Sequence, residues 1–166
     1  MTIDLHHRAA LLALVSRLAD TGVVWALTGS LGHRLQGAPV EVHDIDVQTD
    51  EAGAYRIADA LKDAVVRPVE LRAAGAIRSH FGEFRLEGLK VEVMGAMQKQ
   101  LPDGSWEPPV DVAAHRVFVD FEGHRLPVLS LDCEWQAYER LGRRERAALL
   151  RQHTLSRREH AQGETC

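Results

Sequence analysis

Three short segments hold residues whose chemistry and spacing belong together. Leu27-Thr28-Gly29-Ser30 closes an apolar run, Asp44-Ile45-Asp46-Val47 follows after a thirteen-residue spacer, and Glu92 stands between valines in Lys90-Val91-Glu92-Val93-Met94. A strand that ends in Gly-Ser and turns into a helix points backbone N–H groups outward, with the partial positive charge of the helix start behind them. Such a turn is a phosphate cradle: Gly29 permits close backbone approach, and the Ser30 hydroxyl has a further hydrogen bond to give. Asp44 and Asp46, two residues apart on a strand, send both carboxylates from one face while Ile45 and Val47 point into the core. Paired carboxylates repel unless a cation lies between them. Hard oxygen ligands of this kind suit Mg²⁺ or Mn²⁺, which leaves positions for water and phosphate oxygens and polarises a phosphoryl group. An isolated Asp-x-Asp is common, so the weight rests on the order strand, Gly-Ser, helix, strand, Asp-x-Asp. The bland alternative, exposed strand charges on an inactive fold, must explain why both share a face.

The surrounding pattern supplies the elements that position these residues. Residues 4–20 place Leu11, Leu12, Val15, Leu18 and Ala19 at helical spacing, and Gly22 closes that helix. Residues 23–28 form a continuous apolar run, the signature of a strand buried on both faces. A short helix over 31–36 ends at Gly37, and 42–47 alternates as a strand. A second helix is predicted over 51–63, then an edge strand over 66–71 marked by Pro68. Hairpins are predicted from 77–86 to 89–94, turning at Glu87-Gly88, and from 116 to 128, turning at Glu122-Gly123. Residues 97–109 read as loop, with Gly104, Pro102, Pro108 and Pro109. Ser130 caps a helix through Leu141, and Gly142 separates it from a basic second helix. The fold class is α+β, a short mixed β-sheet backed by helices. Residues 1–155 form a single domain, and the polar tail 156–166 is expected to fray.

Thr28-Gly29-Ser30, the thirteen-residue spacer and Asp44-Ile45-Asp46-Val47 resemble the DNA-polymerase-β-type nucleotidyltransferase superfamily. Its signature is a hydrophobic residue, Gly, Gly or Ser, a spacer, then Asp-hydrophobic-Asp/Glu-hydrophobic. The wording GSLGHRLQGAPVEVHDIDVQTD is similar to small bacterial members, the lincosamide and aminoglycoside nucleotidyltransferases and the minimal domains related to toxin–antitoxin and phage-defence systems. The hairpin ending in VEVMG and the helix beginning at LSLDCEWQAYERLG extend the likeness over most of the chain. The resemblance implies transfer of a nucleoside monophosphate from an NTP, ATP foremost, to a hydroxyl of a small molecule or protein, releasing pyrophosphate. It implies that Gly29 and Ser30 hold phosphates, that Asp44 and Asp46 bind Mg²⁺ (or Mn²⁺), and that Glu92 completes the metal site or accepts the hydroxyl proton. The chain departs from the pattern after the Ser, where many members place Arg at the third position. Here that position is His33, with Arg34 one step on as the phosphate-side cation. The rival reading is a catalytically silent module of this fold, antitoxin-like or regulatory.

Other residues carry less. Arg78, Ser79 and His80 read as edge polarity, His6 and His7 as surface, and Trp25 as core. His43 either orients Asp44 or packs. Trp106 reads as an anchor of the Pro-rich loop, with stacking on a base or acceptor as the minority reading, and Cys133 reads as a small buried hydrophobe. The run Arg140, Arg143, Arg144, Arg146 and Arg151 reads as a solvated helix face. The 166 residues are 45% hydrophobic and 27% charged with net charge -4, a globular balance that disfavours a broad nucleic-acid surface. No apolar run approaches the roughly 20 residues that cross a bilayer. No segment resembles a signal peptide, and two cysteines build no disulfide framework, so the expected location is the cytoplasm. A chain of this length is expected either to have its site completed by a partner chain, most simply in a homodimer, or to keep an open site for a large acceptor.

Overall fold

The computed structural model describes residues 2–163. Its centre is one mixed sheet of seven strands in the order β3-β4-β5-β2-β1-β7-β6. These are β1 (Trp25–Thr28), β2 (Ile45–Thr49), β3 (Val65–Ala74), β4 (Ile77–Leu86), β5 (Leu89–Lys99), β6 (Arg116–Phe121) and β7 (His124–Leu129). The helices are α1 (Leu5–Leu18), α2 (Gly29–Leu35), α3 (Glu51–Ala60), α4 (Val112–His115), α5 (Leu131–Arg140) and α6 (Arg144–Gly163). The α+β expectation therefore holds, with a broader sheet than the short one expected.

Strand alternation sorts the sheet into two faces. Leu27, Ile45, Val47, Val91, Val93 and Val128 belong to one apolar core with Leu11, Leu14, Ala54 and Ile57 of α1 and α3. Their neighbours Thr28, Asp46, Gln48, Glu92 and Met94 face the other way, toward α5. Here β2 runs parallel to β5 and antiparallel to β1, so that Asp46 pairs with both Glu92 and Thr28. Local chemistry fixes the ends. The Asp4 and Asp50 carboxylates cap α1 and α3, and Ser130 Oγ caps α5 by accepting from Cys133 N at 3.2 Å. Both hairpins turn on Glu-Gly pairs with positive φ at each residue, the conformation that matches strand twist.

Among the boundaries that differ from the sequence expectation, three bear on the site and its support. The strand predicted over 42–47 starts later, at Ile45, so Asp44 stands in the bend before it. The second hairpin arm runs on through Lys99, into what read as loop, because Met97 to Lys99 still pair with β4 or bond across to the following turn. The tail expected to fray from Ser156 is helical through Gly163, where Arg157 donates to Gln36 O at 2.9 Å and Arg158 pairs with Asp132 at 2.7 Å. Residues 164–166 lie outside the described residues.

Candidate active site

The turn from β1 into α2 brings the first motif against the second. Gly29 has φ +64, and a Cβ placed there would collide with Asp46 Oδ2. Only glycine lets the backbone pass this close to the carboxylate. Ser30 Oγ accepts from His43 N at 3.0 Å, tying the turn to the segment that carries Asp44. The hydroxyl proton is left free. His43 orients the segment through its backbone, since its carbonyl also accepts from His7 Nε2 at 2.6 Å. His7, expected on the surface, is buried and held by Asp4 at 2.7 Å.

Asp46 and Glu92 are direct neighbours across β2 and β5, and Asp44 stands in the bend before β2, linked to Glu92 through Lys90. Burial, then the Glu92 charge and hydrogen bond, then the Asp44 charge push the Asp46 pKa up to about 7. A cation missed by sequence reasoning sits at the mouth. Lys90 Nζ lies 3.0 Å from Asp44 and 2.9 Å from Glu92, and these contacts hold its pKa well above the usual lysine range. Among the described residues, no three His, Cys, Asp or Glu side chains form a ready-made metal cage. The ammonium spreads Asp44 and Glu92 around itself instead. The donor set nevertheless fits a hard divalent cation: three carboxylates gather around a single ammonium, and a metal would favour the ionised form of Asp46 that burial and its neighbours disfavour.

Behind the carboxylates a cavity of about 260 Å³ runs between the sheet face and α5. Thr28, Gly29, Asp46 and Glu92 line it, whereas Asp44, Ser30 and Arg34 do not. Arg34 is half-buried on α2, and the cations that line the cavity are Lys99 and Arg143. His33 is fully buried, with Glu134 at 3.5 Å and the Arg146 guanidinium at 3.3 Å, so it faces a structural carboxylate rather than a phosphate. Glu134 also accepts from the Thr28 hydroxyl, which anchors α5 to the end of β1. Cys133 lines the cavity half-buried, where burial pushes its thiol pKa up.

Residues 10–153 match the model of the aminoglycoside-2″-adenylyltransferase family. The chain belongs to this family. A Thermotoga maritima protein assigned as a nucleotidyltransferase is 46% identical with TM-score 0.82, over 93% of this chain and 96% of the other. Two solved antibiotic-modifying enzymes share the fold at low identity. The lincosamide adenylyltransferase LnuA, bound to lincomycin, is 13% identical with TM-score 0.52, covering 76% of this chain and 82% of its own. ANT(2″)-Ia, solved with adenylyl-2″-tobramycin, is 10% identical with TM-score 0.55 and 87% coverage of each chain. No curated protein matches the chain. Family membership makes the chain a nucleotidyltransferase-type protein with the fold read from its motif.

The remaining sequence candidates lie elsewhere. Arg78 stacks on Trp106 at 4.5 Å and bonds Gln98, His80 meets Tyr55 at 3.0 Å, and Ser79 is buried in β4. Trp106 is thus the loop anchor. Much of the basic run is spent internally, Arg140 on Glu107, Arg146 on His33 and Arg151 over Trp135, while Arg143 lies over Tyr138 at the cavity wall. Among the described residues no helix is long and apolar enough to cross a membrane.

Proposed function

We propose that this chain transfers a nucleoside monophosphate from an NTP, ATP foremost, to a hydroxyl of a small-molecule or protein acceptor, with release of pyrophosphate. The observation that carries this reading is the carboxylate set around Asp46, which is pressed against the Gly29 turn and raised in pKa by burial and by its acidic neighbours. Mg²⁺ or Mn²⁺ held by Asp44, Asp46 and Glu92 would supply charge neutralisation and polarisation of the phosphoryl group. The chain's own residues do the rest. The Gly29 backbone and the free Ser30 hydroxyl proton receive phosphate oxygens, and Arg143, which lines the cavity, takes the cationic role expected of Arg34. Glu92, the neighbour of Asp46 on β5, would either bind the cation or take the acceptor hydroxyl's proton. Lys90 keeps Asp44 and Glu92 paired until a stronger cation arrives.

The test uses ATP labelled at the α-phosphate, incubated with the protein and Mg²⁺ and a panel of hydroxyl-bearing compounds and proteins. Label is expected on an acceptor, with pyrophosphate released in equal amount. A chain that binds nucleotide but never releases pyrophosphate would instead be the silent module.

A further inference from the structure

The inner half of the cavity holds polar groups that the nucleotidyl-transfer reading has not used. Strand alternation along β5 should turn Met97 and Lys99 to the opposite face from Glu92 and Met94, because the numbers change parity. Ala96 breaks the alternation: its φ is +50, a value rare for a residue with a Cβ. The pairing with β4 also shifts register between Arg78 and His80, opposite this stretch. A bulge of this kind re-aims the side chains that follow it. Glu92, Met94, Met97 and Lys99 consequently line one cavity together.

Lys99 is 7% exposed. Burial, then the Arg140 charge, push its pKa down. Among the described residues no carboxylate lies within ion-pair distance of it. Its nearest acidic neighbours are engaged elsewhere, Glu107 with Arg140 at 3.4 Å and Glu134 with His33 and Thr28. Gln48 is an independent sign of a missing ligand. It is 6% exposed, lines the same cavity, and its Oε1 has no hydrogen-bond partner. A buried acceptor left without a partner costs free energy that a ligand would recover, and Lys99 brings a donor to the same cavity.

The walls select the ligand's class. Met94 and Met97 on the sheet side face Ala137 and Leu141 on the helix side, an apolar slot. Glu134 lines the same cavity as Lys99, so a bare anion meets a carboxylate and a polycation meets an ammonium. A flat neutral ring with apolar faces and a polar edge suits both. Gln48 lies two residues beyond Asp46 on β2, about 7 Å along the strand, the span of a sugar between a phosphate and a base.

We propose that the inner end of the cavity seats the nucleobase of the nucleotide, packed between the β5 methionines and α5, with its edge read by the Gln48 amide and the Lys99 ammonium. Adenine satisfies both groups, offering an amino donor beside a ring-nitrogen acceptor. The inference rests on the proposed nucleotidyl transfer, and the probes are chosen to separate the two.

Calorimetric titrations would compare a non-hydrolysable ATP analogue, tripolyphosphate and adenosine, with Mg²⁺ present, on wild type, Lys99→Met, Lys99→Arg and Gln48→Leu. The analogue should bind wild type at least about tenfold more tightly than tripolyphosphate. Lys99→Met and Gln48→Leu should each lose about tenfold or more for the analogue and for adenosine, with tripolyphosphate unchanged and Lys99→Arg partly restored. Variants that bind the analogue and adenosine as wild type does overturn the proposal. So do variants that weaken tripolyphosphate as much as the analogue, because the pair then serves phosphate. Failure of tripolyphosphate on wild type counts against the phosphate cradle, and the adenosine series still decides the base site.

Discussion

A half-buried set of three carboxylates and a buried single carboxylate border the same cavity, and they are built on opposite plans. At the mouth, Asp44, Asp46 and Glu92 confront one ammonium, Lys90, and burial with the neighbouring acids pushes the Asp46 pKa up to about 7. Against α5, Glu134 is matched by the Thr28 hydroxyl and by His33, which Arg146 contacts in turn. The first sets three carboxylates against one ammonium, whereas the second sets one carboxylate among a hydroxyl, an imidazole and a guanidinium. Surplus charge is costly in a folded protein unless a ligand removes it, so the mouth reads as function and the α5 cluster as a lock between helix and sheet.

The contrast can be broken most sharply by removing one carboxylate from each. Asp46→Asn should lower nucleotidyl transfer by about 10³-fold, roughly 4 kcal/mol in the barrier, with the melting temperature held or raised. Glu134→Ala should instead cost about 3 kcal/mol of stability, because it strips partners from buried Thr28 and His33. Parallel melts and rate assays check both, and a stability loss in Asp46→Asn with Glu134→Ala neutral would reverse the assignment.

The pH dependence of the metal-free protein sharpens it further. The folded pKa of Asp46 lies above its ordinary 3.8. Between pH 3.8 and about 7 the unfolded chain loses this proton while the folded chain keeps it. The stability associated with Asp46 is therefore complete below 3.8, declines as pH rises, and levels off above about 7, at no more than about 1.4 kcal/mol per pH unit. Denaturant melts across this range should show the decline in wild type and lose it in Asp46→Asn. The smallest effect is expected at Lys90, whose side chain is one-third exposed. Lys90→Met should cost the metal-free protein at most about 1 kcal/mol and tighten Mg²⁺ binding severalfold, since the carboxylates lose an internal competitor.

The mouth was legible in the sequence because its parts obey local rules. Gly29-Ser30 needs a turn, Asp44 and Asp46 need two-residue spacing, and Glu92 needs alternation with Val91 and Val93. The Glu134 cluster was not, since Thr28 and Glu134 are 106 residues apart and nothing local in either announces the other. Lys90 was passed over although it neighbours the motif, because a lysine two residues from a glutamate on one strand is ordinary on a hairpin. Lys99 was hidden by a single backbone event: a positive φ at an alanine leaves no mark in composition or period. The extension of α6 was missed for a similar reason, as its polar residues bond to Gln36 and Asp132 through tertiary contacts.

The most direct test of the metal-linked carboxylate site is calorimetry of Mg²⁺ binding, with a non-hydrolysable ATP analogue, in buffers of different ionisation enthalpy. The site described predicts saturable binding that releases a proton at pH 6.5, releases far less at pH 8.5, and is lost in Asp46→Asn. Absence of saturable binding in wild type, or an equal proton release in Asp46→Asn, would contradict it.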